Sequence, residues 1–94
     1  GFQRLRVDLA FIGCTGVDAE HGITNINVAE AELKRVIAGI AARVVVVADS
    51  SKIGRVDPGH VLALDEGTLL VTDGEPGSPT IAPLHGAGLS VTLA

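Results

Sequence analysis

The run RVVVVA at residues 43–48 constrains the fold more than any other stretch of the chain. Successive side chains of an extended strand point to opposite faces, so four consecutive valines cannot show one face to water and the other to a core. Such a run is stable where both faces are covered, the situation of a central strand in a parallel sheet. A second unbroken apolar run, VDLAFIG at residues 7–13, closes on a glycine and reads the same way. Between the two lies NVAEAELKRVIAGIAA, residues 27–42, where Leu33, Val36, Ile37 and Ile40 fall at helical spacing and form one apolar stripe. Asn27 is a good N-cap, and Glu30, three places on, completes the pattern of a capping box. The three segments predict a strand–helix–strand crossover and an α/β fold, a mostly parallel sheet with flanking helices.

Composition agrees with that layering. Hydrophobic residues make up 47% of the 94-residue chain, yet Phe2 and Phe11 are the sole aromatics, so the core is aliphatic. A single cysteine, Cys14, cannot form an internal disulfide, and His21, His60 and His85 lack the spacing of a zinc site, so no structural metal and no cofactor are implied. With no apolar run long enough to span a bilayer and no signal segment, the chain reads as a cytoplasmic domain or part of one, without a membrane partner. A formal charge of −4 and no basic stripe argue against a direct grip on nucleic acid. Short aliphatic sheets leave unpaired edges, so a second copy or further residues of the same protein are expected as partners.

Downstream, HVLAL (60–64) and LLVTD (69–73) predict two more strands, GEPGSP (74–79) a loop, residues 83–86 a short turn or helix, and LSVTLA (89–94) a last strand. Ligands of parallel sheets bind outside the carboxyl ends of the strands. Three polar segments are expected there: Gly13-Cys14-Thr15-Gly16, Asp49-Ser50-Ser51-Lys52 and Thr72-Asp73. Glycines admit backbone N–H groups close to an anion, hydroxyls add donors, and a lysine supplies a point charge suited to phosphate. Gly13, Thr15, Gly16, Asp49, Ser51 and Lys52 are therefore the candidate ligand-binding residues, with Glu30, Lys34 and Asp73 as a second set.

Each also has a plain structural reading. Asp49 ahead of two serines is the pattern of a cap on a helical turn. Glu30 and Lys34, four apart on a helix, make a solvated pair worth about 0.3–0.5 kcal/mol. Gly13 and Gly16 serve a tight turn, Asp73 is a turn former, Cys14 a small buried residue and His21 a solvated loop histidine.

In order along the chain, VDLAFIGCTGVDAEHGIT, AEAELKRVIAGIAARVVVVADSSKIGR and LLVTD resemble the C-terminal effector-sensing domain of DeoR-type repressors of sugar metabolism. What the resemblance implies is a fold like that of ribose-5-phosphate isomerase and the CoA transferases, here a partial domain occupying residues 1–94, and a phosphorylated sugar as effector. It also implies a homo-oligomer, and DNA contact only through an N-terminal winged helix-turn-helix that, with the first part of the sensor, lies outside this chain. Aligned through AFIGCTG, the proton-transferring aspartates of the isomerases fall on Gly13 and Gly16, while Asp49 and Lys52 match their sugar-phosphate contacts. No catalytic residue is therefore expected. The alternative is a sugar-phosphate isomerase-like enzyme using Asp18, Glu20 or Glu30 as a displaced base, since enolisation needs a positioned base. A phosphoacceptor receiver domain also gathers aspartates and a lysine at strand ends, but the residue order here does not fit it.

Overall fold

The computed structural model describes residues 6–64, 68–74, 77–86 and 90–93. The elements are β1 (Val7–Gly13), β2 (Gly16–Asp18), β3 (Gly22–Asn25), α1 (Val28–Ile40), β4 (Ala41–Val47), β5 (Gly59–Leu62), β6 (Thr68–Thr72), α2 (Ala82–Gly86) and β7 (Ser90–Leu93), with a 3-10 turn at Ser50–Lys52. Four strands form a parallel sheet in the order β1-β4-β6-β7, and three form an antiparallel sheet in the order β2-β3-β5. The predicted crossover from β1 through α1 to β4 is present, as are the parallel sheet and the two strands after it. Glu75 and Pro76 of the predicted loop, and Leu89 and Ala94 of the predicted last strand, lie outside the described residues.

One side of the parallel sheet carries the core. Val46 of β4 and Leu70 of β6 pack with Ala48, with Val17, Ile23 and Val61 of the small sheet, with Ala31 of α1 and with Leu84 of α2. The pairing of Ile12 with Val46 and of Val46 with Leu70 sets these side chains in one row. The neighbouring row, Leu9, Phe11 and Val47, faces the other way and is exposed, Phe11 to 70%. The sequence predicts central strands covered on both faces. Within the described residues β1 is instead the end strand of the sheet, and one face of the sheet has no layer over Leu9, Phe11 and Val47.

Helix α1 starts where predicted. Asn27 is its N-cap, with its Oδ1 accepting the Glu30 N–H at 3.0 Å. The reciprocal half of the capping box is replaced: Glu30 Oε2 accepts from the Asn25 side chain rather than from the Asn27 backbone. The predicted apolar stripe is not the packed face. Leu33 and Val36 are exposed, Ile37 and Ile40 half-buried, and the one fully buried helix residue is Ala31. The reason is close approach to β5, where a Cβ added at Gly59 would lie 2.6 Å from Ala31 Cβ and 2.8 Å from the Asn25 carbonyl oxygen. Two small residues let the helix sit on β5, and this turns the larger aliphatic side chains outward.

Residues 14–26 hold the main departure from the predicted loop, the hairpin β2–β3. Its turn is tied by Asp18, whose Oδ2 accepts from the backbone of Glu20 and His21 and contacts His21 Nδ1 at 2.8 Å. These bonds, the His21 side chain first, hold the Asp18 carboxyl below its ordinary value of 3.8. A depressed carboxyl stabilises the turn at pH values above that ordinary value, and the contribution is lost as pH falls through the lower folded-state value. Acidification below about pH 4 is therefore expected to lower the protection factors of the Glu20 and His21 amides before those of the core amides, as read by hydrogen-exchange NMR corrected for the intrinsic rate at each pH.

Candidate functional site

The register places the carboxyl ends of β1, β4 and β6 side by side: Gly13 pairs with Val47, and Val47 with Val71. The ladder continues one step further, with the Ala48 N–H donating to Val71 O at 3.1 Å. Beyond it the chain enters the 3-10 turn capped by Asp49, whose Oδ1 accepts both the N–H of Ser51, at 3.0 Å, and its hydroxyl. The capping role read from the sequence is thus present. Those two bonds hold the Asp49 carboxyl below its ordinary range, with the charge of Lys52 adding to them.

The turn is fastened at both ends. Asp73, just after β6, accepts the Ser50 N–H at 2.6 Å, and the Gly54 N–H donates to Val17 O of β2 at 2.6 Å, where Ile53 also bridges Val17. Lys52 therefore stands between two anchors, half-buried beside the start of the hairpin.

Cys14 occupies the gap between β1 and β2. Burial pushes its thiol above its ordinary value of 9.0, opposed first by the charge of Lys34, then by the Gly16 N–H and by Lys52, with Asp57 acting in the direction of burial. Two ammonium groups, one from α1 and one from the 3-10 turn, thus act on the same sulfur. Among the described residues neither lies within ion-pair distance of a carboxylate; the ion pairs are His21 with Asp18 and Arg55 with Asp57.

The nearby carboxylates are occupied otherwise. Asp49 and Asp73 take backbone N–H groups, Glu30 takes Asn25 Nδ2 at 3.2 Å, and Asp57 takes the Thr15 hydroxyl at 2.5 Å and the Arg55 guanidinium at 3.6 Å. A chain of net negative charge thereby presents two cations that, among the described residues, form no ion pair with a carboxylate.

Thr15, Gly16 and Ser51 have internal tasks. The Thr15 hydroxyl donates to Asp57 and accepts from the Ile26 N–H at 2.7 Å. A Cβ at Gly16 would lie 2.4 Å from Thr24 Oγ1 and 2.6 Å from the Arg55 carbonyl oxygen, so this glycine lets β2 pass between β3 and the segment after the 3-10 turn. The Ser51 hydroxyl is held by Asp49. Gly13 differs: a Cβ there meets nothing within 4 Å. The charges of Lys34 and Lys52 both act on the Cys14 thiol, and Glu30 shares the Asn25 amide with Lys34.

Sequence reasoning passed over Asn25 and Asp57. Asn25 is a polar residue at the end of the otherwise apolar GIT segment, and Asp57 precedes Pro58, a pairing that favours an extended entry into the next strand. Both signals were there, but neither says what the side chain bonds.

Residues 1–74 match the family model described as the DeoR C terminal sensor domain. The chain belongs to this family. Its sensor domain has the ribose-5-phosphate isomerase-like fold, in keeping with the parallel sheet and small antiparallel sheet described above. Among the relatives of this DeoR-family sensor is the HTH-type transcriptional regulator GlpR of Haloferax volcanii, 37% identical over 89 residues, which make up 95% of this chain and 35% of GlpR. The HTH-type transcriptional regulator GolR of Listeria innocua is 29% identical over 98% of this chain and 36% of its own length. The putative aga operon transcriptional repressor of Escherichia coli O157:H7 is 30% identical over 97% of this chain and 34% of its own length. The chain spans about a third of the length of these curated relatives, which are transcriptional regulators rather than enzymes. No helix among the described residues is long and apolar enough to cross a membrane.

Proposed function

We propose that this DeoR-family chain is the effector-binding part of a cytoplasmic transcriptional regulator, and that its effector is a phosphorylated sugar. The observation that carries the reading is the placing of Lys52 in the anchored 3-10 turn beyond the carboxyl end of β4 and of the Lys34 ammonium on the Asn25 amide, neither, among the described residues, at ion-pair distance from a carboxylate. A phosphoryl group is a matching ligand, because a dianion gains from half-buried cations that are not paired with carboxylates. Asp49 accepts two hydrogen bonds on Oδ1, and its Oδ2 is available to a sugar hydroxyl. Asp73 holds the 3-10 turn in place, Glu30 accepts from the Asn25 amide that also bonds Lys34, and Thr15, Gly16 and Ser51 shape the rim from within.

In the intact protein, a homo-oligomer, a helix-turn-helix outside this chain carries the DNA contact, and further sensor residues cover the bare sheet face of Leu9, Phe11 and Val47. The effector shifts the oligomer between operator-bound and released states by binding one of them more tightly, a coupling typically worth about 1–3 kcal/mol. No proton transfer is required of the site. On the alignment with the isomerases, their two aspartates correspond to Gly13 and Gly16, which have no group able to accept a proton.

The test is calorimetric titration of the intact polypeptide with a panel of sugar phosphates and the corresponding free sugars, beside operator-binding assays. A phosphorylated sugar binds and alters operator affinity, while its unphosphorylated form does neither. If no phosphorylated sugar binds or changes operator affinity, the reading is wrong. Lys52→Ala is expected to weaken effector binding by about tenfold and leave thermal unfolding within about 2 °C of the parent, because among the described residues Lys52 forms no ion pair and its charge only adds to the hydrogen bonds that already hold exposed Asp49. A loss of fold in that variant would assign Lys52 to the turn instead.

A further inference from the structure

We propose that Asn25 is a positioning residue of the anion site, its buried carboxamide fixing the Lys34 ammonium at the rim and keeping it from being neutralised by Glu30. The inference rests on the reading of that rim as a phosphoryl-binding site, and it adds a residue that touches no ligand itself.

Asn25 closes β3 and is 1% exposed. Its Nδ2 donates to Asn27 O at 3.0 Å and to Glu30 Oε2 at 3.2 Å, and its Oδ1 accepts from Lys34 Nζ at 3.0 Å. Both amide hydrogens and the carbonyl oxygen have partners, and this fixes the orientation of the group. Turned over, it would set an NH2 against an ammonium and a carbonyl oxygen against two oxygen acceptors.

Glu30 and Lys34 are four apart on one helix, a spacing at which acid and base ordinarily meet across the surface. Here the amide stands between them. The carboxylate bonds its nitrogen and the ammonium its oxygen, so Lys34 has a neutral partner and retains its full charge toward Cys14. Lysine has a long, flexible stem, and a buried acceptor at 3.0 Å also removes the rotational freedom that an anion would otherwise have to quench on binding.

A double-mutant cycle with Asn25→Ser and Lys34→Gln in the intact polypeptide tests this, with two readouts. The first is the affinity for inorganic phosphate by calorimetry at pH 7.5. The second is the pH profile of Cys14 alkylation by iodoacetamide, followed on the modified peptide by mass spectrometry. The charged groups acting on that thiol are Lys34 from α1, Lys52 from the 3-10 turn and Asp57 from the segment before β5, and only the Lys34 contribution is changed.

Lys34→Gln is expected to weaken phosphate binding about tenfold and Asn25→Ser about fivefold. Each moves the alkylation profile to higher pH, and Asn25→Ser adds nothing to either readout once Lys34 is glutamine. An alkylation profile that Asn25→Ser leaves in place, or a loss that persists in full in the Lys34→Gln background, overturns the proposal. If phosphate fails to bind the parent protein while the profile still moves, the anion reading of the rim falls and the placement of Lys34 by Asn25 stands.

Should Asn25→Ser not fold, the parent protein decides the matter through its Lys34 Nζ resonance, assigned by its disappearance in Lys34→Gln. An ammonium bonded to a buried amide gives a slowly exchanging signal at low temperature. A signal as labile as those of surface lysines would refute the placement.

Discussion

Val46→Asp is expected to yield no folded protein. Val46 is 0% exposed, lies between Ile12 of β1 and Leu70 of β6 in the parallel sheet, and belongs to the cluster that joins the two sheets. Among the described residues the ion pairs lie elsewhere, at Asp18–His21 and Arg55–Asp57, and a carboxylate at position 46 would enter the aliphatic cluster. An ionised group there costs several kcal/mol even after relaxation, and a protonated one still leaves unpaired polar atoms, at roughly 1–3 kcal/mol, besides losing the valine contacts. Domains of this size are stable by about 5–15 kcal/mol, so one substitution removes much or all of the margin. Val56→Asp is the control, since Val56 is half exposed and outside the strands, and it is expected to change stability by less than about 0.5 kcal/mol. Far-UV circular dichroism and the urea midpoint read both. A cooperative Val46→Asp transition within about 1 kcal/mol of the parent would mean that this strand does not sit at the centre of the core.

That prediction draws on what the sequence shows most plainly. A run of β-branched residues has little choice but a strand in a covered sheet, and Asn27 marks the start of α1 because few residues satisfy a free N–H so well. The hairpin β2–β3 was not legible, because strands of three and four residues are too short to show an alternation. Periodicity on α1 says that Leu33, Val36, Ile37 and Ile40 lie on one side, but it does not say which side finds a partner. The pairing of Ala31 with Gly59 decides that, and it depends on a residue 28 positions away (59 − 31) in another element. The site divides in the same way. DSSK declares its cap and its cation locally, whereas the partners of Thr15 lie at Asp57 and Ile26, and those of Lys34 in β3. Residue type was readable throughout; which donors were already committed to the fold was not.

Gly16 carries the second large effect. The resemblance to the isomerases implies that Gly13 and Gly16 stand at the positions of their aspartates, and the substitutions Gly13→Asp and Gly16→Asp ask whether carboxylates can be seated there. They are expected to differ sharply. A Cβ at position 16 would lie 2.4 Å from the Thr24 hydroxyl and 2.6 Å from the Arg55 carbonyl oxygen, closer than real Cβ contacts come, and backbone must move to admit it. The Asp57 N–H bonds that same Thr24 hydroxyl, and Asp57 in turn holds Thr15, so the displacement spreads through the hairpin to the segment before β5. Overpacking and a partly buried carboxylate next to Asp57 together make Gly16→Asp destabilising by at least about 3 kcal/mol. At Gly13 a Cβ meets nothing within 4 Å, and Gly13→Asp is expected to cost less than about 1 kcal/mol while lowering phosphate affinity through like-charge repulsion. Urea denaturation of the two variants measures the contrast, and equal stabilities would show that Gly16 is not packed as described. A carboxylate can therefore be seated at the end of β1, but not at the start of β2 while residues 55–57 hold their place. The close approach of Thr24 and Arg55 to Gly16 is thus what bars a side chain, and with it a carboxylate, from the start of β2.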